Sequence, residues 1–149
     1  MAYKKTGEFN ILYPTRRRMA ALLKRIVRND IVQNNGTLVE SIRINAKVTG
    51  FGSLEIEIVA MYYFIFLNNG AFLWNGGVIT PRDYVNTFTR ELAAAGITNE
   101  IYSQYVEWIS QNYPILEVAE ILESDQRLTY TFYALDPPAG FTPNYPLTV

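Results

Sequence analysis

Between Leu38 and Ala60 the chain alternates apolar and polar residues in two runs, Leu38-Val39-Glu40-Ser41-Ile42-Arg43-Ile44-Asn45-Ala46-Lys47-Val48 and Leu54-Glu55-Ile56-Glu57-Ile58-Val59-Ala60, with Gly50-Phe51-Gly52 between them. Successive side chains of a strand point to opposite faces, so each run buries one face and wets the other. A short glycine-bearing connection between two such runs reads as a hairpin. It sets Lys47 opposite Glu55, Asn45 opposite Glu57, Ile44 opposite Ile58 and Ala46 opposite Ile56. Slipping by one residue would turn the buried set outward, so the register is fixed. The expectation is an antiparallel sheet solvated on one face, where each opposite-charge pair contributes roughly 0.2–1 kcal/mol. The next residues, Met61 to Leu67, are apolar on both faces and are expected in the middle of the sheet or in a subunit contact.

Helical periodicity lies on either side. Met19, Leu22, Leu23, Ile26, Val27 and Ile31 form one stripe, predicting a helix from Thr15 to about Asn34 that follows Pro14 and ends at Asn34-Asn35-Gly36. Pro81-Arg82-Asp83 is expected to open a second helix, with Tyr84, Val85, Phe88, Leu92 and Ala95 inward and Gly96 closing it. Thr98-Asn99-Glu100 begins a third, reaching about Asn112. Ile115 to Ser124 is a further short helical piece, and Leu128 to Leu135 reads as a strand. The fold class is therefore α+β: a mainly antiparallel sheet with an N-terminal helix and two or three further helices packed on it.

At 149 residues, one domain is expected. It spans residues 1–135, with 1–13 as an N-terminal arm that has an edge strand as an option around Phe9 to Tyr13. Residues 136–149 hold Pro137, Pro138, Pro143 and Pro146 and form an extended C-terminal arm. Its Phe141 and Tyr145 are suited to lying on a neighbouring subunit.

The chain contains no Cys and no His. A disulfide framework, thiolate chemistry, Cys-type zinc sites and Ser-His or Cys-His hydrolysis are all excluded for this chain alone. Glu55 and Glu57, with Lys47 and Arg43 near, are the one paired-carboxylate arrangement, and cross-strand ion pairing explains them better than acid–base work. Gly50-Phe51-Gly52-Ser53 lacks the Lys and helix of a phosphate-binding loop. No enzyme activity and no cofactor or metal are expected. The longest apolar run falls well short of the ~20 residues of a membrane helix, and no apolar signal segment opens the chain, so a soluble, unexported protein without a membrane partner is expected.

Two features remain. The segment Asn68 to Thr80 is long and glycine-containing, yet carries Phe72-Leu73-Trp74 in succession. Those residues either fold back onto the domain or insert into something else. Charge is also uneven: eight of the thirteen Lys and Arg precede Asn29, and nine of the fourteen Asp and Glu lie from Asp83 onward. Arg16, Arg17, Arg18, Lys24, Arg25 and Arg28 occupy the non-core surface of the first helix, either as a solvated face or as a basic face for nucleic acid or an acidic neighbour.

In order and spacing, several of these pieces resemble the tail-completion or neck proteins of tailed bacteriophages. They are a basic N-terminal helix, Leu38-Val39-Glu40-Ser41-Ile42, a hairpin, Tyr62-Tyr63-Phe64 leading to Asn69-Gly70, a glycine-containing loop, and Pro81-Arg82 opening a helix. The resemblance covers about Arg16 to Ala95, and Asn69 stands where that family usually has an acidic residue.

It implies a non-catalytic virion protein, made in the host bacterial cytoplasm. Copies would form a homo-oligomeric ring, a hexamer or dodecamer, in the head-to-tail connector. Its partners would be the portal, neck and tail proteins, with DNA passing through the centre. By the same resemblance, Asn69, Gly70, Phe72, Leu73 and Trp74 would form a subunit-interface loop, and the basic helix would face the channel or a partner. The alternative is a nucleic-acid-binding or regulatory protein using that helix, against which a net charge of -1 and a pI near 5.5 weigh.

Overall fold

The structure is a computed structural model that describes residues 9–30, 36–50, 52–124, 126–142 and 144–147. Its elements run α1 (Tyr13–Asp30), α2 (Gly36–Ser41), β1 (Arg43–Gly50), β2 (Ser53–Met61), α3 (Phe64–Asn69), β3 (Ala71–Phe72), β4 (Val78–Ile79), α4 (Tyr84–Ala94), α5 (Ile97–Asn112), α6 (Ile115–Glu123), β5 (Arg127–Leu135) and β6 (Asn144–Leu147). The class is α+β. The main sheet has the order β1-β2-β5-β6, and β3 and β4 form a second, two-stranded sheet.

The β1–β2 hairpin has the register the alternation predicts: Lys47 opposite Glu55, Asn45 opposite Glu57, Ala46 opposite Ile56 and Ile44 opposite Ile58. Its turn residue Phe51 lies outside the described residues. Beyond the hairpin, β2 pairs with β5 in parallel, and β5 pairs antiparallel with β6. A parallel neighbour needs a crossover, and α3 to α6 supply it.

Ile44, Ala46, Ile56, Ile58, Tyr130 and Phe132 are buried on the sheet face that the helices cover. Phe64 of α3 stacks on Phe132 at 5.4 Å and meets Tyr84 of α4 at 5.8 Å, and Phe88 of α4 meets Tyr130 edge-on at 6.4 Å. Helix α1 buries Met19, Leu22, Leu23 and Val27 and lies against β1, α4 and α5. Phe9 and Ile11 are buried without forming a strand, Phe9 meeting Tyr105 and Trp108 of α5 edge-on. Residues 1–8 of the arm, and the proposed helix stop at Asn34-Asn35, lie outside the described residues.

Two segments differ from the sequence expectation, for the same reason. Leu38 to Ser41 is helical, and β1 begins only at Arg43. Met61 to Leu67 does not continue the sheet; the chain turns at Tyr62-Tyr63 and enters α3. Leu38, Val39 and Ile42, like Phe64, Ile65 and Asn68, are buried at i, i+1 and i+4. Over so short a run i and i+4 satisfy either period, and only the burial of the adjacent i+1 residue, which a strand would turn to its other face, marks the helix. Side chains settle the first case: the Ser41 hydroxyl donates to the Leu38 carbonyl at 2.6 Å and accepts from the Met61 amide at 3.1 Å, ending the helical turn against the finish of β2.

Helix α4 starts at Tyr84, so Pro81 lies ahead of it rather than in its first turn. Asp83 is the cap residue, with left-handed backbone (φ 52°) and no capping bond from its side chain. The proline-rich end lies on its own domain. Leu147 is opposite Tyr130 and Tyr145 opposite Phe132 in the sheet, while Phe141 meets Tyr62, Phe66 and Tyr145 at 5.8, 6.0 and 5.3 Å.

Candidate functional site

The segment between α3 and α4 is a small projecting hairpin with a stitched base. Asn68 is buried at the end of α3; its Oδ1 accepts from the Val85 amide at 2.9 Å, and its Nδ2 donates to Asn69 Oδ1 at 2.8 Å. The Arg82 amide donates to the Leu67 carbonyl at 2.9 Å and the Asp83 amide to the Asn68 carbonyl at 3.3 Å. Arg82 also bonds Asp30 of α1 at 3.1 Å, and the Tyr84 hydroxyl donates to the same carboxylate at 2.8 Å. Burial and then this bond hold the Tyr84 phenol well above the ordinary range. Gly70 adopts φ +80°, and a Cβ there would meet the Ile79 carbonyl and the Pro81 ring at 2.8 Å. Only glycine fits this close approach without a shift.

From that base, Ala71 pairs with Ile79 and Phe72 with Val78. The tip is closed by its own bonds, from the Leu73 amide to the Gly77 carbonyl at 2.8 Å, from the Gly76 amide to the Leu73 carbonyl at 3.0 Å, and from the Gly77 amide to Asn75 Oδ1 at 3.0 Å. Phe72 is 89% exposed, Trp74 98%, Val78 62% and Leu73 43%. Of the two outcomes open from the sequence, folding back is therefore not the one this chain takes. Four large apolar side chains are held in water on a bonded frame, the kind of patch that marks a contact surface.

The six cations of α1 do not line one face. Arg18 pairs with Glu100 of α5, and Arg25 lies 3.8 Å from Glu91 of α4. The Thr15 hydroxyl, and after it Arg18, hold the Glu100 carboxyl below the ordinary range. Arg16 and Arg17 sit over the ring of exposed Tyr13 at 5.5 and 6.0 Å. With Lys24, Glu40 and Arg43 they line a groove between α1 and the sheet-edge strand β1. Arg28 is exposed. A second depression, of about 440 Å³, has Ala21, Leu22, Ala95 and Ile97 as its floor and Arg18, Arg25 and Arg28 around it.

On the sheet's other face Lys47 bridges Glu55 at 3.4 Å and Glu57 at 3.3 Å. Glu55 also accepts from the Thr131 hydroxyl at 2.8 Å and the Tyr133 hydroxyl at 3.4 Å. Burial opposes the Lys47 charge, but Glu57 and Glu55 outweigh it and hold the ammonium above the usual lysine range. Both Glu55 oxygens are engaged, so the cluster acts as a cross-strand clamp. Thr131 and Tyr133 entered it through the parallel pairing of β5, which no local pattern announces. Among the described residues no three carboxylates gather as a metal-binding group, and no helix is long and apolar enough to cross a membrane.

Sequence reasoning passed over the outer face of α6, where Ile115 is 85% and Leu116 78% exposed. The signal was present: its apolar residues outnumber those one buried stripe can use, and only Ile121 is fully covered. No protein-family model matches the chain, and no curated protein or solved structure matches it at a significant level.

Proposed function

We propose that this chain is a virion structural protein that assembles as a ring in the head-to-tail connector or tail-completion region of a tailed phage, without catalysis. The observation that carries the assembly part is the β3–β4 hairpin. Its base is fixed to α1, α3 and α4, and its tip presents Phe72 and Trp74 almost wholly to water and Leu73 in part. A preordered projection loses little further entropy on docking, and Trp is the residue most enriched where binding energy concentrates. The connector assignment rests on the order of features that resembles the neck proteins. Portal and tail proteins would be the other partners, and Lys24 the α1 cation left for passing DNA.

Replacing Phe72, Leu73 and Trp74 together by Ser tests the reading. The melting temperature is expected to stay within a few degrees while assembly is lost. A variant that assembles like the parent removes the hairpin from the account.

The groove between α1 and β1 favours a second reading. Arg16, Arg17, Lys24 and Arg43 beside exposed Tyr13 combine cations with a stacking surface, as single-stranded nucleic-acid sites do. Oligonucleotide binding that weakens steeply with salt would support it; no binding at low ionic strength would end it.

A further inference from the structure

The outer face of α6 and the depression on α1 are complementary. Helix α6 presents Ile115, Leu116 and Leu122 together with exposed Glu120 and Glu123. Its carboxylates take part in no ion pair among the described residues. The depression has the converse character, an apolar floor at Ala21, Leu22 and Ile97 within the cations Arg18, Arg25 and Arg28. Arg28 also has no ion-pair partner among the described residues. Within one chain the two do not meet, since α6 packs on α5 while the depression lies on α1 and the α4–α5 turn.

We infer that α6 of one copy docks in the Arg-rimmed depression of the next. The inference takes its occupant, a second copy, from the assembly reading above. Charge selects this arrangement over the simplest alternative. Two α6 helices pairing across a two-fold axis would bring four exposed carboxylates together, and like charges facing one another across an interface are costly. A contact between two different patches is head-to-tail, the type that closes into a ring when the rotation allows it. One helix in one depression is small against the ~1,200–2,000 Å² of a stable interface, so the contact works beside the hairpin contact rather than instead of it.

The test is a charge swap read as native mass against concentration, with electron micrographs of each sample. One full-length variant reverses the depression (Ala21→Glu with Arg28→Glu) and another reverses the helix (Glu120→Arg with Glu123→Arg). All four positions are exposed, and circular-dichroism melts check folding. Each variant alone is expected to need at least ~100-fold more protein to assemble than the parent. An equimolar mixture should regain assembly near parental concentrations, because each reversed patch then meets an opposite one on the other variant. Assembly of either variant at parental concentration, or a mixture no stronger than its parts, would overturn the inference. Closed rings from a reversed variant would sink this contact and leave the ring reading standing. A successful swap that builds open chains would do the opposite, and a parent that stays monomeric at every concentration sinks both.

Discussion

The chain builds two hairpins, and they use apolar residues in opposite ways. In β1–β2, Ile44, Ala46, Val48, Leu54, Ile56 and Ile58 are at most 3% exposed, and charged residues take the other face. In β3–β4, two residues pair on each side, and Phe72, Leu73, Trp74 and Val78 stand in water. Burial contributes roughly 25 cal/mol per Å² of apolar surface removed from water, so the first hairpin holds the fold and the second withholds that contribution until something covers it. The contrast separates apolar residues that stabilise the fold from apolar residues left open to a partner, although both read as hydrophobic in sequence.

Matched truncations sharpen the contrast most. Ile58→Ala should cost about 2–5 kcal/mol in denaturant unfolding, whereas Phe72→Ala should stay within about 0.5 kcal/mol; equal costs would mean that the tip packs on its own domain. Gly70→Ala is expected to cost about 1–3 kcal/mol, because the base must open and the residue sits at positive φ. Its cost should appear together with weakened assembly.

At the same base, Tyr84→Phe should remove about 1 kcal/mol. The folded phenol titrates above its unfolded value, so Tyr84 stabilises the fold below about pH 10 and that stability is lost as pH rises further. The variant should therefore show a shallower alkaline fall in stability.

A smaller effect is expected in the scaffold. Glu100 is held below its ordinary range, so its contribution is present above about pH 4 and lost as pH falls through the folded value. Because the Arg18–Glu100 pair is half-exposed, Glu100→Gln should cost less than about 1 kcal/mol at neutral pH and nothing in acid. A spectroscopic comparison in a Trp108→Phe background, its fold checked by circular dichroism, leaves Trp74 as the remaining tryptophan. Acrylamide should quench it freely in the monomer and poorly after assembly, while unchanged quenching would leave the tip outside the interface.

What the sequence made legible follows the length of each pattern. The β1–β2 register could be read because the alternation persists over both strands and a slip would expose every buried residue. The α1, α4 and α5 stripes persisted over several turns in the same way. The short runs Leu38–Ser41 and Phe64–Asn69 could not be assigned by period, and there a serine hydroxyl and a buried asparagine decided. The parallel β2–β5 pairing joins strands separated by four helices, so nothing local encodes it. It carries Thr131 and Tyr133 to Glu55 and lets the proline-rich end complete the sheet. Phe72-Leu73-Trp74 stood out in sequence as apolar residues in a loop, but their exposure depended on the closed base. The basic helix was legible as composition, whereas its division among Glu100, Glu91 and Tyr13 was set by which helices pack beside it.

The most direct test of the central claim is the native mass of the unmodified protein across concentration and salt, with electron micrographs of the same samples. The account predicts a closed ring with a central hole and a fixed number of copies. A monomer at every concentration, with Trp74 still open to quencher, would contradict it.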